Sequence, residues 1–448
     1  MNNRQEVCLT QNDIYRVFTH QWNIRMMPRD SQIVDNISPQ VSVIIPAYNQ
    51  AKYLESAIQS ALSQTYQDYE IIVVDDGSTD NTPLIAGRFV KNIRYIRQDN
   101  QGLGGARNTG IRIANGHFVA LLDSDDQWVP NFLEKMTGLA AQFPEAAVYY
   151  CQARCMDAEG HDLPQVLGGP VRPPEAIYQT LLRADFLIPS TILMRRSVIM
   201  KAGLFDHSLR YCEDWDLWLQ ILPEYTFIGI PDCLVRYRIH SNTQSANLAG
   251  NQQSAIALIK KKFGPDDNHE ETWSIEKRRG YGGLYRFLLL IFVNRNNDWK
   301  DAAQNFRRAL QIDPTLAEDL DLFYDLALGG QPPGYRGSPQ LLNFKENTAQ
   351  ISTMLADTFY SKENLGIEHL RRQTYGTAYF ALGLVAYNTG KFRLCRSFLI
   401  RALYYRPDLL KDNRTMGLLL KSFLSRKILN QIKKAMAQLI ISRSDSSI

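Results

Sequence analysis

The sequence predicts an α/β domain built on a mostly parallel sheet with flanking helices, followed by an all-α region. Two observations predict this architecture. Between residues 41 and 122, short apolar runs rich in Val and Ile alternate with segments of helical periodicity. Past residue 250 the sequence becomes helical in character. Runs as apolar as the first ones indicate strands covered by helices on both faces, which is typical of parallel sheets.

The first elements follow one another as strand, helix and strand. Four strands are predicted, with the sequences VSVII (41–45), EIIVV (70–74), IRYI (93–96) and FVALL (118–122). Apolar residues recur at helical spacing from Leu54 to Leu62 and predict the first helix. Thr82-Pro83 is typical of a helix start, because proline fits the first helical position. A further helix is predicted over residues 106–114.

Length and composition set the class of protein. With 448 residues, two or three domains are expected, and 45% hydrophobic residues suffice for packed cores. A net charge of +4 is too small to indicate nucleic-acid binding. The longest aliphatic run, FLLLIFV (287–293), is shorter than the roughly 20 residues that span a bilayer. With no signal-peptide pattern and six cysteines without a CxxC pair, a cytoplasmic location is expected.

Acidic residues follow two of the predicted strands. The second strand runs into Asp75-Asp76 and the fourth into Asp123-Ser124-Asp125-Asp126, while Tyr48 follows the first. Carboxyl ends of neighbouring parallel strands share one edge, where ligands bind. We therefore expect five carboxylates to gather beside one aromatic ring, which requires a neutralising cation or donor-rich ligand. Oxygen ligands favour Mg²⁺ or Mn²⁺, and such an ion would hold a polyphosphate.

Each of these groups of residues also has a simpler interpretation. A calcium loop of the form DxDxDG is excluded, because Gln127 and Trp128 stand where an oxygen ligand and glycine are needed. The glycines of QGLGGARNTG do not form a dinucleotide fingerprint, because Arg107 replaces the last glycine of GxGxxG. Asp75-Asp76 alone would be a solvated turn, and Tyr48 alone a packing residue. Because all of these residues are expected at one edge of the sheet, they favour a ligand-binding site.

Three segments carry a family resemblance: VSVIIPAYNQ through VVDDGSTDNT, then NQGLGGARNTGI, then LLDSDDQW. The chain is similar to the family 2 glycosyltransferases, which have the type A glycosyltransferase fold with a nucleotide-sugar-binding sheet, over about 40–245. The resemblance implies an inverting transfer of sugar from a nucleoside diphosphate sugar, expected to be UDP-linked. The acceptor would be a hydroxyl of a glycan or a lipid-linked glycan, in cell-envelope polysaccharide synthesis.

The resemblance also implies roles for individual residues. Asp123 and Asp125 match the DxD motif that holds Mn²⁺ or Mg²⁺. The residues that match donor-binding positions are Pro46, Tyr48, Asp75, Asp76, Arg107, Ser124 and Asp126. Within this set, Tyr48 and Asp76 match positions that hold the base, and Arg107 lies in the stretch near the ribose and diphosphate. For Asp126, assistance to the metal and contact with the donor sugar both stay open.

A second acidic group stands in LRYCEDWDLWLQI (209–221). A helix start explains one acid there, because carboxylates are favoured near the positive end of a helix. It explains three acids, Glu213, Asp214 and Asp216, less well. The resemblance places the catalytic base at Asp214, with Glu213 orienting the acceptor or the base, and Asp216 is expected to be structural. An acceptor hydroxyl needs such a base because it is a poor nucleophile at neutral pH.

His240 and two arginines follow in LVRYRIHSNTQS (234–245). A histidine there would alone be a surface residue, but the resemblance implies that His240 completes the metal shell or contacts the diphosphate. For Arg236 and Arg238, diphosphate contacts and positions on an edge strand are equally compatible with the sequence.

The helical region contains two similar stretches, 298–314 and 390–407, which align when their prolines are matched. They resemble tetratricopeptide repeats. The stretch GGQPPGYRGSPQ (329–340) predicts a linker or surface loop. The predicted domains are an N-terminal leader (1–39), a catalytic domain (40–250), a linker (251–271) and a tetratricopeptide-like helical domain with a basic C-terminal helix (272–448).

The basic C-terminal helix carries an apolar stripe from Leu424 to Leu439. Packing onto the preceding repeat and peripheral contact with an anionic membrane surface both explain this stripe. The expected partners are the nucleoside diphosphate sugar and the acceptor, and no nucleic acid. Two other functions agree less well with the sequence. A sugar-nucleotide nucleotidyltransferase would carry a glycine- and arginine-rich loop after its first strand, which this sequence lacks, and the intact acidic groups disfavour a catalytically silent scaffold.

Overall fold

The computed structural model describes residues 39–241, 243, 247–296, 298–360 and 366–423. The predicted leader, apart from its last residue, and the basic helix from Leu424 onwards lie outside these residues. Two compact units are present: the first runs to Leu284 and includes Pro332–Arg336, and the second comprises Tyr285–Gln331 and the chain from Gly337. Within the described parts, every helix is too short or too polar to cross a membrane.

The first unit is organised around one sheet. Its strands are β1 (Val41–Ala47), β2 (Tyr69–Asp75), β3 (Arg94–Arg97), β4 (Phe118–Leu121), β5 (Gln127–Trp128), β6 (Val148–Met156), β7 (Asp162–Leu167), β8 (Ile192–Arg195) and β9 (Phe227–Arg238). The described strands follow the order β3-β2-β1-β4-β8-β6-β9-β5, with β7 beside β6. β1 to β4 are the four predicted strands, and they pair in parallel. Beyond β4 the sheet becomes mixed, because β8 pairs with β4 antiparallel.

Helices cover both faces of this sheet, as the apolar strands predicted. The described helices of the first unit are α1 (Leu54–Leu62), α2 (Thr82–Gly87), α3 (Gly102–Ile113), α4 (Phe132–Gln142), α5 (Pro174–Leu181), α6 (Arg196–Lys201), α7 (Glu213–Ile221) and α8 (Leu248–Phe263), and α9 (Ile275–Ile291) contains the boundary between the units. α1 and α4 bury Leu54, Ile58 and Phe132 in one apolar cluster with the strands. α3 packs against β1 and β2.

Helix α3 begins four residues before its predicted start at Ala106. The first turn has the sequence GLGG, and glycine has a low helix propensity. The sequence therefore did not predict that this turn is helical. The start is supported instead by a distant side chain, since Asp76 accepts hydrogen bonds from the backbone N–H groups of Gln101 (2.9 Å) and Gly102 (2.8 Å). Gly102 has φ +80°, a conformation that other residues rarely adopt.

Gly110 on α3 permits the close approach of helix and sheet. A Cβ atom at this position would lie 2.5 Å from Cγ2 of Ile44. We expect Gly110→Ala to lower the free energy of unfolding by about 1–3 kcal/mol, as overpacked cores do. Urea denaturation measures this change. The matched control is Gly138→Ala on α4, which meets nothing within 4 Å and is expected to stabilise by up to about 1 kcal/mol. Equal effects of the two substitutions would contradict the packing argument.

Pro46 lies inside β1, although the predicted strand ended at Ile45. The Ile44 carbonyl accepts a hydrogen bond from the Leu122 N–H (3.0 Å), so this side of β1 faces β4. Pro46 lies two residues further along the same side, beyond Leu121, where β4 ends. The N–H that proline lacks is therefore not needed, and the strand continues to Ala47.

Residues 251–271, predicted as a linker, fall mostly within helix α8. Lys261 on this helix donates hydrogen bonds to the carboxylates of Asp206 (2.6 Å) and Asp216 (2.9 Å). These ion pairs fix α8 within the first unit and give Asp216 the structural environment expected for it.

The second unit is helical, as predicted. Its helices among the described residues are α10 (Trp299–Ile312), α11 (Leu320–Leu328), α12 (Phe344–Tyr360), α13 (Arg371–Asn388), α14 (Phe392–Tyr405) and α15 (Asn413–Lys421). α10 and α14 belong to the two aligned stretches, and each is followed by a proline that opens a 3₁₀ turn. Equivalent aligned positions, such as Phe306 and Leu399, are fully buried. Assignment to tetratricopeptide-like repeats stays a prediction.

The predicted linker or surface loop at 329–340 contributes a short segment to the first unit. The Gln165 backbone N–H on β7 donates to the Gly334 carbonyl (3.0 Å), and the Gly334 N–H donates to the Gln165 side chain (2.8 Å). Pro332–Arg336 therefore behaves as part of the sheet-containing unit and runs beside β7.

Candidate active site

A buried arginine joins the two acidic groups that the sequence singled out. Arg107 on α3 is 1% exposed. Its Nη2 donates to Oδ1 of Asp123 (2.7 Å) and its Nη1 to Oε1 of Glu213 (2.8 Å). Burial alone would lower the pKa of Arg107, but the carboxylates of Asp123, Glu213 and Asp214 raise it above its ordinary value. A single cation thus holds the end of β4 beside the start of α7.

The Glu213-Asp214 pair opens helix α7 directly after a strained residue. Cys212 has φ +59°, a left-handed conformation uncommon for a residue with a side chain. Burial and the neighbouring Asp214 raise the pKa of Glu213 to about 7, against the opposing effect of Arg107. Burial also raises the pKa of Asp214, although Arg107 and a hydrogen bond from the Trp215 N–H (2.8 Å) oppose the shift. The direction of this pKa shift favours proton acceptance by Asp214.

Asp185 is a carboxylate of this site that the sequence interpretation missed. Burial, followed by the charges of Asp214 and Glu213, raises its pKa well above the ordinary value. One of its oxygens accepts the Leu187 N–H (3.0 Å). The sequence contains only a weak signal for this role, because Asp185 is an isolated acid, the only one between Glu175 and Asp206.

The turn after β4 is organised around Asp126, which is buried. Ser190 Oγ donates to its Oδ2 (2.6 Å) and the Arg238 backbone N–H donates to its Oδ1 (2.9 Å). Burial, together with Asp125 and Asp123, raises the pKa of Asp126 well above its ordinary value. Ser190 also accepts the Asp123 N–H (3.0 Å). The structure thus surrounds Asp126 with protein groups, and a donor or metal role for it stays a prediction.

The three predicted metal ligands lie at one end of the sheet. His240 Nε2 and Asp125 Oδ2 are 3.0 Å apart, and the His240 ring rests 4.8 Å from that of Tyr53. Asp123 turns one oxygen to Arg107. Within the described residues, no three His, Cys, Asp or Glu side chains form a ready-made metal site. Carboxylates with an imidazole nevertheless suit Mn²⁺, and Mg²⁺ often takes one or two carboxylates plus substrate phosphates. The residues fit an ion that arrives with a diphosphate.

Three of the remaining donor-binding candidates lie at the ends of β1 and β2: Tyr48, Asp75 and Asp76. Asp75 accepts from the Tyr95 hydroxyl (2.6 Å) and the Ser78 N–H (2.8 Å), whereas Asp76 supports the start of α3. Tyr48, which is 48% exposed, follows β1. The carboxylates of Asp75 and Asp76 thus have protein partners of their own, as those of Asp123 and Asp126 do. Charge repulsion alone therefore does not require a metal. Pro46 is buried in β1, and Ser124 is buried in the turn after β4.

Arg236 and Arg238 lie on β9, which is flanked by β6 and β5 and is therefore not an edge strand. Arg236 donates to the side chains of Asp162 (2.9 Å) and Gln127 (2.7 Å). Arg238 donates to the Asp125 carbonyl (2.7 Å) and stacks on the Tyr53 ring at 4.7 Å. Both guanidinium groups thus hold the β4 turn and the β6–β7 turn in place.

Comparison with known proteins completes this picture. A family model described as glycosyl transferase family 2 matches residues 42–203. An uncharacterized glycosyltransferase of Rickettsia prowazekii is 33% identical over 264 residues, which cover 58% of this chain and 81% of the relative. The chain belongs to glycosyltransferase family 2.

Other similar proteins extend the comparison of this glycosyltransferase. Chondroitin synthase of Escherichia coli is 32% identical over 253 residues, covering 52% of this chain and 36% of the relative. A crystal structure of S. aureus TarS in complex with UDP is 18% identical, covering 75% of this chain and 90% of that chain, with a TM-score of 0.44. The family and enzyme class expected from the sequence are confirmed.

Proposed function

We propose that this glycosyltransferase moves a sugar, with inversion, from a UDP-linked donor to a hydroxyl of a glycan or lipid-linked glycan. The observation that carries the proposal is the Arg107 bridge. It brings the acidic turn after β4, which we propose to bind the diphosphate, next to the Glu213-Asp214 pair, which contains the candidate base. Neither group alone would account for a transfer reaction.

Asp214 is the proposed general base. It takes the proton of the acceptor hydroxyl as the oxygen attacks the anomeric carbon from the face opposite the diphosphate. Glu213, fixed by Arg107 at 2.8 Å, orients the acceptor or Asp214. Asp185 lies close enough to this pair that the charges of Asp214 and Glu213 raise its pKa.

Asp123, Asp125 and His240 are proposed to hold Mn²⁺ or Mg²⁺. Such an ion supplies Lewis acidity toward the leaving diphosphate when it is bound. Tyr48 is exposed and available to stack on the base, while Asp75 and Asp76 shape the loop beside it. Arg107 supports the site through its ion pairs, because both of its Nη atoms are bonded to carboxylates. We therefore propose that it positions Asp123 more than it contacts the donor.

The test is hydrolysis and transfer across a panel of nucleotide sugars with Mn²⁺ or Mg²⁺ present. We expect one nucleotide class to be hydrolysed slowly without acceptor, with release of the nucleoside diphosphate. A parallel reaction supplies nucleoside triphosphate and sugar 1-phosphate. Formation of a sugar nucleotide with release of pyrophosphate would identify a nucleotidyltransferase instead and refute the proposal, as would the absence of binding to every donor.

A further inference from the structure

The hairpin of α13 and α14 in the second unit carries only positive charge. Residues 371–406 contain seven Lys and Arg and no Asp or Glu. Two of these cations are engaged: Arg406 pairs with Asp408, and Arg396 donates to the Ser422 carbonyl. The five others are exposed, and within the described part of the chain none of them has a carboxylate partner: Arg371, Arg372, Lys391, Arg393 and Arg401.

Along this hairpin and the neighbouring helix α12 runs a continuous series of aromatic rings, here called the aromatic row. In spatial order it comprises Phe359, Tyr375, Tyr405, Tyr379, Phe398 and Phe344. Successive ring centroids are between 5.2 and 6.5 Å apart. Its three tyrosines are half-buried, and the adjoining Tyr404 is 74% exposed. The row is therefore accessible along part of its length.

Cations lie directly on the aromatic row and beside it. The guanidinium of Arg401 is 5.5 Å from the centre of the Tyr379 ring, and the Lys391 ammonium is 4.9 Å from that of Phe344. At the other end, Arg371 lies 5.5 Å from the centre of the Tyr360 ring. Two of the five cations thus lie over rings of the aromatic row, and a third lies over the neighbouring Tyr360.

We propose that the aromatic row binds a saccharide chain that carries carboxylate or phosphate groups, and that this chain is the acceptor. The identification as acceptor rests on the function proposed above. The C–H groups of a pyranose ring carry a small positive charge and pack on the negative face of an aromatic ring. Tyrosine hydroxyls can bond the sugar hydroxyls.

Charge complementarity selects an anionic chain over a neutral one. Five cations without a carboxylate partner in the described part of the chain, on a hairpin whose sequence has no Asp or Glu, attract an anionic polymer and repel a cationic one. The three phenylalanines of the row are buried, whereas its three half-buried tyrosines and the exposed Tyr404 are adjacent on α13 and α14, which suits successive residues of a chain better than a single sugar. Stacked helices commonly build extended binding surfaces of this kind.

The experiment measures binding of the full chain to polygalacturonate, a carboxylated polysaccharide, by calorimetry. Two other polymers serve for comparison. Dextran is a neutral polysaccharide, and poly(U) is an anionic polymer that contains no pyranose chain. The variants are Arg401→Gln, which changes an exposed side chain, and Tyr379→Ala, with Tyr379→Phe as the version that keeps the ring. Lys300→Gln on α10 is the matched control, because Lys300 is also exposed on a helix of the second unit.

We expect polygalacturonate to bind and dextran to bind at least about tenfold more weakly, with the preference decreasing as salt screens the charges. Arg401→Gln and Tyr379→Ala should each weaken binding several-fold, Tyr379→Phe less, and Lys300→Gln not at all. Absence of binding, tighter binding to poly(U), or equal losses in the control would each overturn the proposal. Donor hydrolysis by the wild-type chain without acceptor tests the transferase function separately.

Discussion

Replacing Asp214 by Asn is expected to lower kcat for sugar transfer by about 10²–10⁴, the usual contribution of a positioned general base. The substitution keeps the shape of the side chain, and its amide oxygen can still accept the Trp215 N–H bond that holds Asp214 (2.8 Å). It removes only the proton acceptor. Because the loss occurs in the transition state, kcat should fall while the Kd for the nucleotide sugar changes little.

Steady-state transfer kinetics and calorimetric donor binding test this expectation together. Turnover of the unchanged protein should decrease as the pH falls through the raised pKa of Asp214, because the protonated carboxyl cannot accept a proton. The residual activity of Asp214→Asn should lack this pH dependence.

Asp216→Asn provides the matched control, since Asp216 lies on the same helix but pairs with Lys261. It is expected to reduce stability and to leave kcat within a few-fold. Wild-type turnover in Asp214→Asn would remove Asp214 as the base. A larger loss in Glu213→Gln than in Asp214→Asn would move the assignment to Glu213, whose pKa is raised to about 7.

Removing divalent ions with a chelator is expected to reduce transfer by at least about 10²-fold, since a bound ion stabilises a departing diphosphate by several kcal/mol. Asp125→Ala should produce a similar loss at ordinary Mn²⁺ concentrations. The reason is the Asp125–His240 contact of 3.0 Å, which offers an oxygen and a nitrogen ligand at one point beside Asp123. Higher Mn²⁺ should restore part of the activity of His240→Ala.

Electron paramagnetic resonance of Mn²⁺ in the presence of UDP measures metal binding independently of turnover. The chain offers a matched control, because Asp157 and His161 form another contact of 3.0 Å, at an exposed turn. Asp157→Ala should change neither Mn²⁺ binding nor turnover. Full turnover in excess chelator, or an unaltered Asp125→Ala protein, would show that the acidic turn serves another purpose.

The sequence predicted the part of the fold whose signals are local. Strands β1 to β4 were identified because each is an apolar run, and their shared edge followed from parallel pairing. The start of α3 was not identified, because Asp76 supports it from 26 positions earlier in the chain. Strands β5 to β9 belong to the mixed half of the sheet, where pairing depends on contacts between distant segments.

Prediction of the site was likewise limited to local signals. The residue types at the acidic turn and at Glu213-Asp214 were recognisable from short motifs. Their partners were not: Ser190 lies 64 positions from Asp126, and the Arg238 N–H that bonds the same carboxylate lies 112 positions away. The expectation that acidic residues needed an ion to offset their repulsion overlooked such partners. Only the folded chain shows that Arg107 pairs with both Asp123 and Glu213.

The segment around Gly334 affects how the first unit could be produced on its own. A chain cut after Leu284 would keep the whole sheet but lose Pro332–Arg336, which covers Gln165 on β7. Uncovered strand edges are templates on which other chains aggregate. The smallest well-behaved version of this unit is therefore discontinuous in sequence. Protein engineers who want it alone would have to splice the Gly334 segment back through a short linker, or place a lysine on β7 to block edge-to-edge assembly.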